Sequence, residues 1–179
     1  MNLNEKIYIS LGTNCSSAVK RAKDYNLTSA NYNTCPFDLM VSNLEGILKC
    51  FTDDFKFFYD TKYLEYNFNK PAEDSNIFSN IYYKFTFNHE QPGHANLYLS
   101  EKWPGLNKYH FVENNFKMFI ERYQRRINNL YTYINNYKNI EFIITFENTN
   151  KNHTLFKNLK DLLEKKFPKN KFTYNVETI

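Results

Sequence analysis

The clearest pattern in the chain is a stripe of apolar residues at helical spacing. Phe116, Phe119, Ile120, Tyr123, Ile127, Leu130, Tyr131 and Ile134 recur every three or four positions, which predicts a long amphipathic helix. A continuous apolar run, Ile140 to Phe146, follows as a short strand of the buried type. His153 to Lys166 repeats the helical stripe through Leu155, Phe156, Leu159, Leu162 and Leu163, and Pro168 ends it. Phe172 to Val176 is a last strand.

The head of the chain has the same alternation. Lys6 to Leu11 is strand-like, and Ser16 to Tyr25 a helix with Ala18, Val19 and Ala22 on one face, capped by Asn14 or Ser16. A second helix carries Leu44, Ile47, Leu48 and Phe51, with Ser42 and Glu45 in the positions of a capping box. Thr52 to Asn80 is aromatic and irregular, while Ile81 to Asn88 alternates with period two and predicts a strand. His89 to Lys108 holds two prolines and two glycines and reads as a long loop, the kind that is usually functional. Strands alternating with helices predict an α/β fold: one domain over residues 1–179 with a largely parallel sheet flanked by helices in three layers.

Composition narrows the classes of function. The 179 residues suit one domain, and with 18% aromatics they can fill a core without metal or disulfide support. The net charge of +4 is small and its basic residues are scattered, which argues against a nucleic-acid partner. Three cysteines without a CxxC pair argue against a disulfide framework or zinc ribbon and for a reducing, cytoplasmic setting. No apolar run is long enough to span a membrane. No cofactor or metal is implied; His89, Glu90 and His94 lack the spacing of a ligand set. The oligomeric state is not legible.

The candidate chemistry sits where strands end, the place parallel sheets receive ligands. Cys15 follows the first strand through a Gly-containing turn and stands at a helix start, where the helix dipole favours the thiolate form. His89 follows the strand ending at Phe87, and Glu147 and Asn148 follow the strand ending at Phe146. Thiol, imidazole and a carboxylate or amide are the components of a cysteine-hydrolase triad. Asp38, its backbone approach fixed by Pro36, is another candidate for orienting the imidazole. Gly12, Asn14 and Ser16 around the turn, and His94 and Trp103 in the long loop, are candidate substrate contacts. Each has a plainer role open to it: Cys15 as a buried apolar group, His89 as a loop histidine in competition with His94 and His110, Asp38, Glu147 and Asn148 as helix caps, Trp103 as core cover.

Four segments, Ile9–Ala22, Cys35–Met40, Phe85–Glu90 and Phe119–Leu130, resemble the family described as putative papain-like cysteine peptidases. The specific matches are Gly-x-Asn-Cys, Pro-Phe-Asp and Arg-Tyr-x-x-Arg-Ile, and they span most of the chain. The resemblance implies a Cys nucleophile and a His base, which fall on Cys15 and His89. Glu90 stands after the His where Asp is expected. A papain-like α+β layout is the alternative fold; the strand–helix–strand tail favours the parallel sheet, in which Cys15 resembles the serine of Gly-Asp-Ser esterases. The expected function is cysteine-dependent hydrolysis or acyl transfer on a small-molecule, glycan or peptide substrate. The alternative is a carbohydrate- or peptide-binding module without catalysis.

Overall fold

The computed structural model describes residues 6–28, 30–70, 77–91, 109–146 and 153–178. Three of the expected strands form one parallel sheet: β1 (Lys6–Ser10), β5 (Asn139–Phe146) and β6 (Lys171–Thr178), in the order β1-β5-β6. Lys6 lies opposite Asn139, and Asn139 opposite Lys171. Successive residues of a strand face opposite sides, and Ile143 and Ile144 are both buried, so both faces of β5 are covered at its carboxyl end. The helices are α1 (Ser16–Asp24), α2 (Leu44–Thr52), α3 (Glu113–Asn136) and α4 (His153–Lys166). The first turn of α3 is left-handed, with φ of 50°, 55° and 62° at Asn114, Asn115 and Phe116; asparagine tolerates that region and phenylalanine rarely adopts it.

The remaining strands build a second, antiparallel sheet, so the class is mixed α/β rather than largely parallel. β2 (Leu64–Tyr66), β3 (Phe78–Asn80) and β4 (Phe85–Thr86) run in the order β2-β3-β4. The strand expected over Ile81 to Asn88 is instead a turn followed by β4. Its physical cause is Asn80, whose fully buried side chain donates to the carbonyls of Phe57 (2.8 Å) and Phe58 (3.1 Å) and accepts the Tyr83 N–H (2.9 Å). Lys84 closes this turn with φ of 58°. A 3₁₀ turn over Asn88–Glu90 follows β4.

Aromatic rings fill the space between the second sheet and α3. Phe58 and Phe87 both pack on Tyr123, at 5.1 and 5.2 Å between ring centres, and Phe87 packs on Phe119 at 4.6 Å. Such pairs contribute about 1 kcal/mol each beyond the area they bury. One cluster of buried residues runs from Ile7 in β1 to Phe172 in β6.

Two local expectations shift. The N-cap of α2 is Asn43, whose Oδ1 accepts the Gly46 N–H at 2.7 Å, not Ser42. In α1 the buried face is Ser17, Ala18 and Arg21, while Val19 is 58% exposed.

Candidate active site

The turn between β1 and α1 is fixed from several sides. The Leu11 N–H donates to the Ile143 carbonyl (3.0 Å), extending the strand ladder by one bond. Gly12 comes next, and only glycine fits: a Cβ there would lie 2.3 Å from the Asn14 carbonyl oxygen and 2.8 Å from Ser17 Oγ. The Gly12 N–H donates to Ser10 Oγ (3.2 Å), and the Ser42 hydroxyl donates to the Gly12 carbonyl. Thr13 donates its hydroxyl to the Thr145 carbonyl (2.7 Å) and its carbonyl accepts the Ser42 N–H (3.1 Å). Ser42 is therefore drawn away from the cap position by the turn it secures.

Cys15 stands at the N-cap of α1 and is half-buried. Its carbonyl accepts the N–H groups of Ala18 (3.1 Å) and Val19 (3.0 Å). Asn14 Oδ1 takes the Ser16 N–H (2.8 Å). No described residue accepts the N–H of Cys15 or of Ser17, so two donors remain at the positive end of the helix. The Cys15 thiol makes no hydrogen bond with a described residue.

His89 lies buried in the 3₁₀ turn after β4. Val41 and Ser42 link its segment to that of Cys15. Val41 and Thr86 exchange N–H···O bonds of 2.9 Å, and the next residue, Ser42, bonds to Thr13. Cys15 comes two residues after Thr13 and His89 three after Thr86, and the groove that holds Cys15 is lined by Ser16, Val19, Lys20, Lys23 and Asp24, not by His89. No hydrogen bond joins Cys15 and His89 among the described residues.

The carboxylates of Glu90 and Asp38 are engaged elsewhere. Glu90 is buried, and its Oε1 accepts from Nη1 of Arg126 (2.9 Å) and of Arg122 (3.1 Å), its Oε2 from the Tyr123 hydroxyl (3.2 Å). Arg122 and Arg126 are four apart on α3 and so share the face turned to Glu90. Burial, with the Glu90 charge adding to it, pushes the Tyr123 hydroxyl well up. Asp38 is buried with Oδ1 on Arg21 Nη1 (2.8 Å) and Oδ2 on the Cys35 N–H (2.8 Å). Burial pushes its carboxyl up against the opposing pull of Arg21. Burial and the Asp38 charge likewise push the Cys35 thiol well up, and burial does the same to Cys50. Those two thiols are held in their inert, protonated form.

Gly12, Asn14 and Ser16 lie in the turn that carries Cys15, and the segment of His89 is tied to that turn through the backbone bonds of Val41 and Ser42. Asp38 is held with Arg21. Glu147, Asn148, His94 and Trp103 lie outside the described residues. Sequence reasoning missed Ser17, Ser42, Thr145 and Arg21. Of these only Arg21 left a signal, a cation three residues from Ala18 and next to Ala22 that needed a buried partner. Among the described residues, no helix is long and apolar enough to cross a membrane, and no three His, Cys, Asp or Glu side chains are grouped to hold a metal ion.

The model of a family described as "putative papain-like cysteine peptidase" matches residues 6–177 of the chain. No curated protein and no solved structure matches it.

Proposed function

The chain belongs to the family of putative papain-like cysteine peptidases, and on that premise we propose that it is a cysteine-dependent hydrolase or acyl transferase with Cys15 as nucleophile and His89 as base. The observation that carries this reading is the setting of Cys15: a half-exposed thiol at the carboxyl end of a parallel strand, in a braced turn, at the start of a nine-residue helix. The other two cysteines are buried.

In this reading the His89 imidazole takes the Sγ proton and the sulfur attacks the carbonyl carbon of an ester or amide. The oxygen that gains the electron pair is received by the N–H groups of Cys15 and Ser17, in the turn framed by Gly12, Asn14 and Ser16. Collapse expels the alcohol or amine, which takes the proton from the imidazolium, and leaves a thioester on Cys15. Water or a second acceptor then releases the acyl group. With Asp38 holding Arg21 and the Cys35 N–H, this reading gives the orienting of His89 to Glu147 or Asn148, and the substrate contacts to His94 and Trp103. The covered faces of β5 support a three-layer frame behind the site.

The test is site-resolved alkylation by iodoacetamide at neutral pH, followed by mass spectrometry. Cys15 is expected to react ahead of Cys35 and Cys50, and His89→Ala to slow it by about tenfold or more. An unchanged Cys15 rate in a His89→Ala protein with native circular dichroism would sink the reading.

A further inference from the structure

Cys15, Ala18, Val19 and Ala22 fall at i, i+3, i+4 and i+7 of α1 and so form one stripe. That stripe is only partly covered. Ala18 is buried, Ala22 half-buried and Val19 exposed. Beside it lies an open cavity of about 280 Å³. Its apolar wall is made by Ala18, Ala22, Leu27 and Leu39, and Val19 stands at its rim. Val19 also lines the shallow groove that holds Cys15, so cavity and thiol share one strip of helix surface. At ~1.5 Å of rise per residue, Ala18 and Ala22 lie about 5 and 10 Å along the axis from Cys15.

The polar side of the cavity is Arg21 with Asp38 and Tyr32. Arg21 is 5% exposed, donates through Nη1 to Asp38, and lays its guanidinium 3.7 Å from the centre of the Tyr32 ring. Its Nε–H is buried and has no hydrogen-bond partner among the described residues. A buried donor without an acceptor is rare and costly, and here it belongs to a side chain lining a cavity. The Arg21 charge is already matched by Asp38. An anion in the cavity would face the Asp38 carboxylate, and a cation would face Arg21. A neutral acceptor meets neither repulsion.

We propose that this cavity is a specificity subsite for an apolar substrate group carrying one neutral hydrogen-bond acceptor, a ketone or amide oxygen, which the Arg21 Nε–H binds while the adjoining acyl carbon rests at Cys15. The proposal relies on Cys15 being the nucleophile. The substrate class it selects is an acyl compound whose side chain is uncharged and ends in a carbonyl group. Substrates with a carboxylate or ammonium at that position are rejected.

The test uses iodoacetamides that differ only in the N-substituent: N-butyl, N-oxobutyl and N-carboxypropyl, each rated on Cys15 relative to iodoacetamide itself. In the unmodified protein the oxobutyl compound is expected to be favoured by about tenfold over the butyl compound, the return for one hydrogen bond to a charged donor, and by at least as much over the carboxypropyl compound, whose charge faces Asp38. Ala22→Leu narrows the cavity and is expected to bring the oxobutyl-to-butyl ratio to one. Independently, the Arg21 Nε–H resonance is expected to shift when methyl propyl ketone is added to the unmodified protein. Equal rates across the series, a preference untouched by Ala22→Leu, or an Arg21 resonance that does not move would each overturn the subsite. Failure of the nucleophile reading looks different. The ketone would still move the Arg21 resonance, while His89→Ala would leave the iodoacetamide rate unchanged.

Discussion

Ser17 Oγ accepts the Thr145 N–H at 3.0 Å and lies 2.7 Å from the Thr145 hydroxyl, so one buried serine ties the first turn of α1 to the end of β5. The Thr145 carbonyl takes the Thr13 hydroxyl as well, which leaves every polar group of Thr145 engaged with the turn that carries Cys15. This contact links residues 128 apart in the chain.

Ser17→Ala removes the acceptor and strands a buried N–H. The expected loss is about 1–3 kcal/mol in urea unfolding. Amide exchange at Thr145 should accelerate in the same variant. Wild-type stability and wild-type exchange would show that the contact does not hold the turn.

The buried Arg21–Asp38 ion pair should respond as a unit. Asp38→Ala leaves Arg21, itself 5% exposed, with an uncompensated charge, and about 3–5 kcal/mol of stability is expected to go. The joint replacement Arg21→Met with Asp38→Leu is expected to cost much less, because it removes the stranded charge. Additive losses from the two single changes, measured by urea unfolding, would contradict the pairing.

His110 gives a pH signature. Burial lowers its pKa from the usual 6.5, and the Arg122 guanidinium lowers it further, against a weaker pull from Glu113. The folded chain therefore keeps the imidazole neutral where the unfolded chain has already protonated it. The resulting stability is present in full above pH 6.5 and is lost as the pH falls through the lower, folded value. A proton resonance titration should place the His110 midpoint below 6.5, and Arg122→Gln should move it upward. A midpoint at or above 6.5 would refute the assignment.

The elements legible in the sequence are those whose periodicity outlasts a few residues. Phe119, Tyr123, Ile127, Leu130 and Ile134 are all buried along α3, and Leu159 and Leu163 along α4. The antiparallel sheet was not legible because its strands are two or three residues long and its turn is organised by the Asn80 side chain, which leaves no periodic trace. At the site, the glycine turn before Cys15 was readable because strand, turn and helix follow one another directly. Arg21 and Asp38 lie 17 residues apart, and their pairing depends on how the loop returns to α1. Ala18, Val19 and Ala22 read as a core face; α1 buries Ala18, but with it Arg21, held by Asp38, and leaves Val19 at the rim of a cavity.

The Tyr32 ring carries the Arg21 guanidinium stacked at 3.7 Å and the Tyr133 ring of α3 stacked at 5.1 Å. A tyrosine in solution turns over about its Cβ–Cγ axis rapidly, and the two edges of its ring become indistinguishable. With stacking partners from two different helices, Tyr32 can turn over only when α1 and α3 part far enough to release it. Its flipping rate therefore clocks the breathing of the joint between the helix that presents Cys15 and the longest helix of the fold.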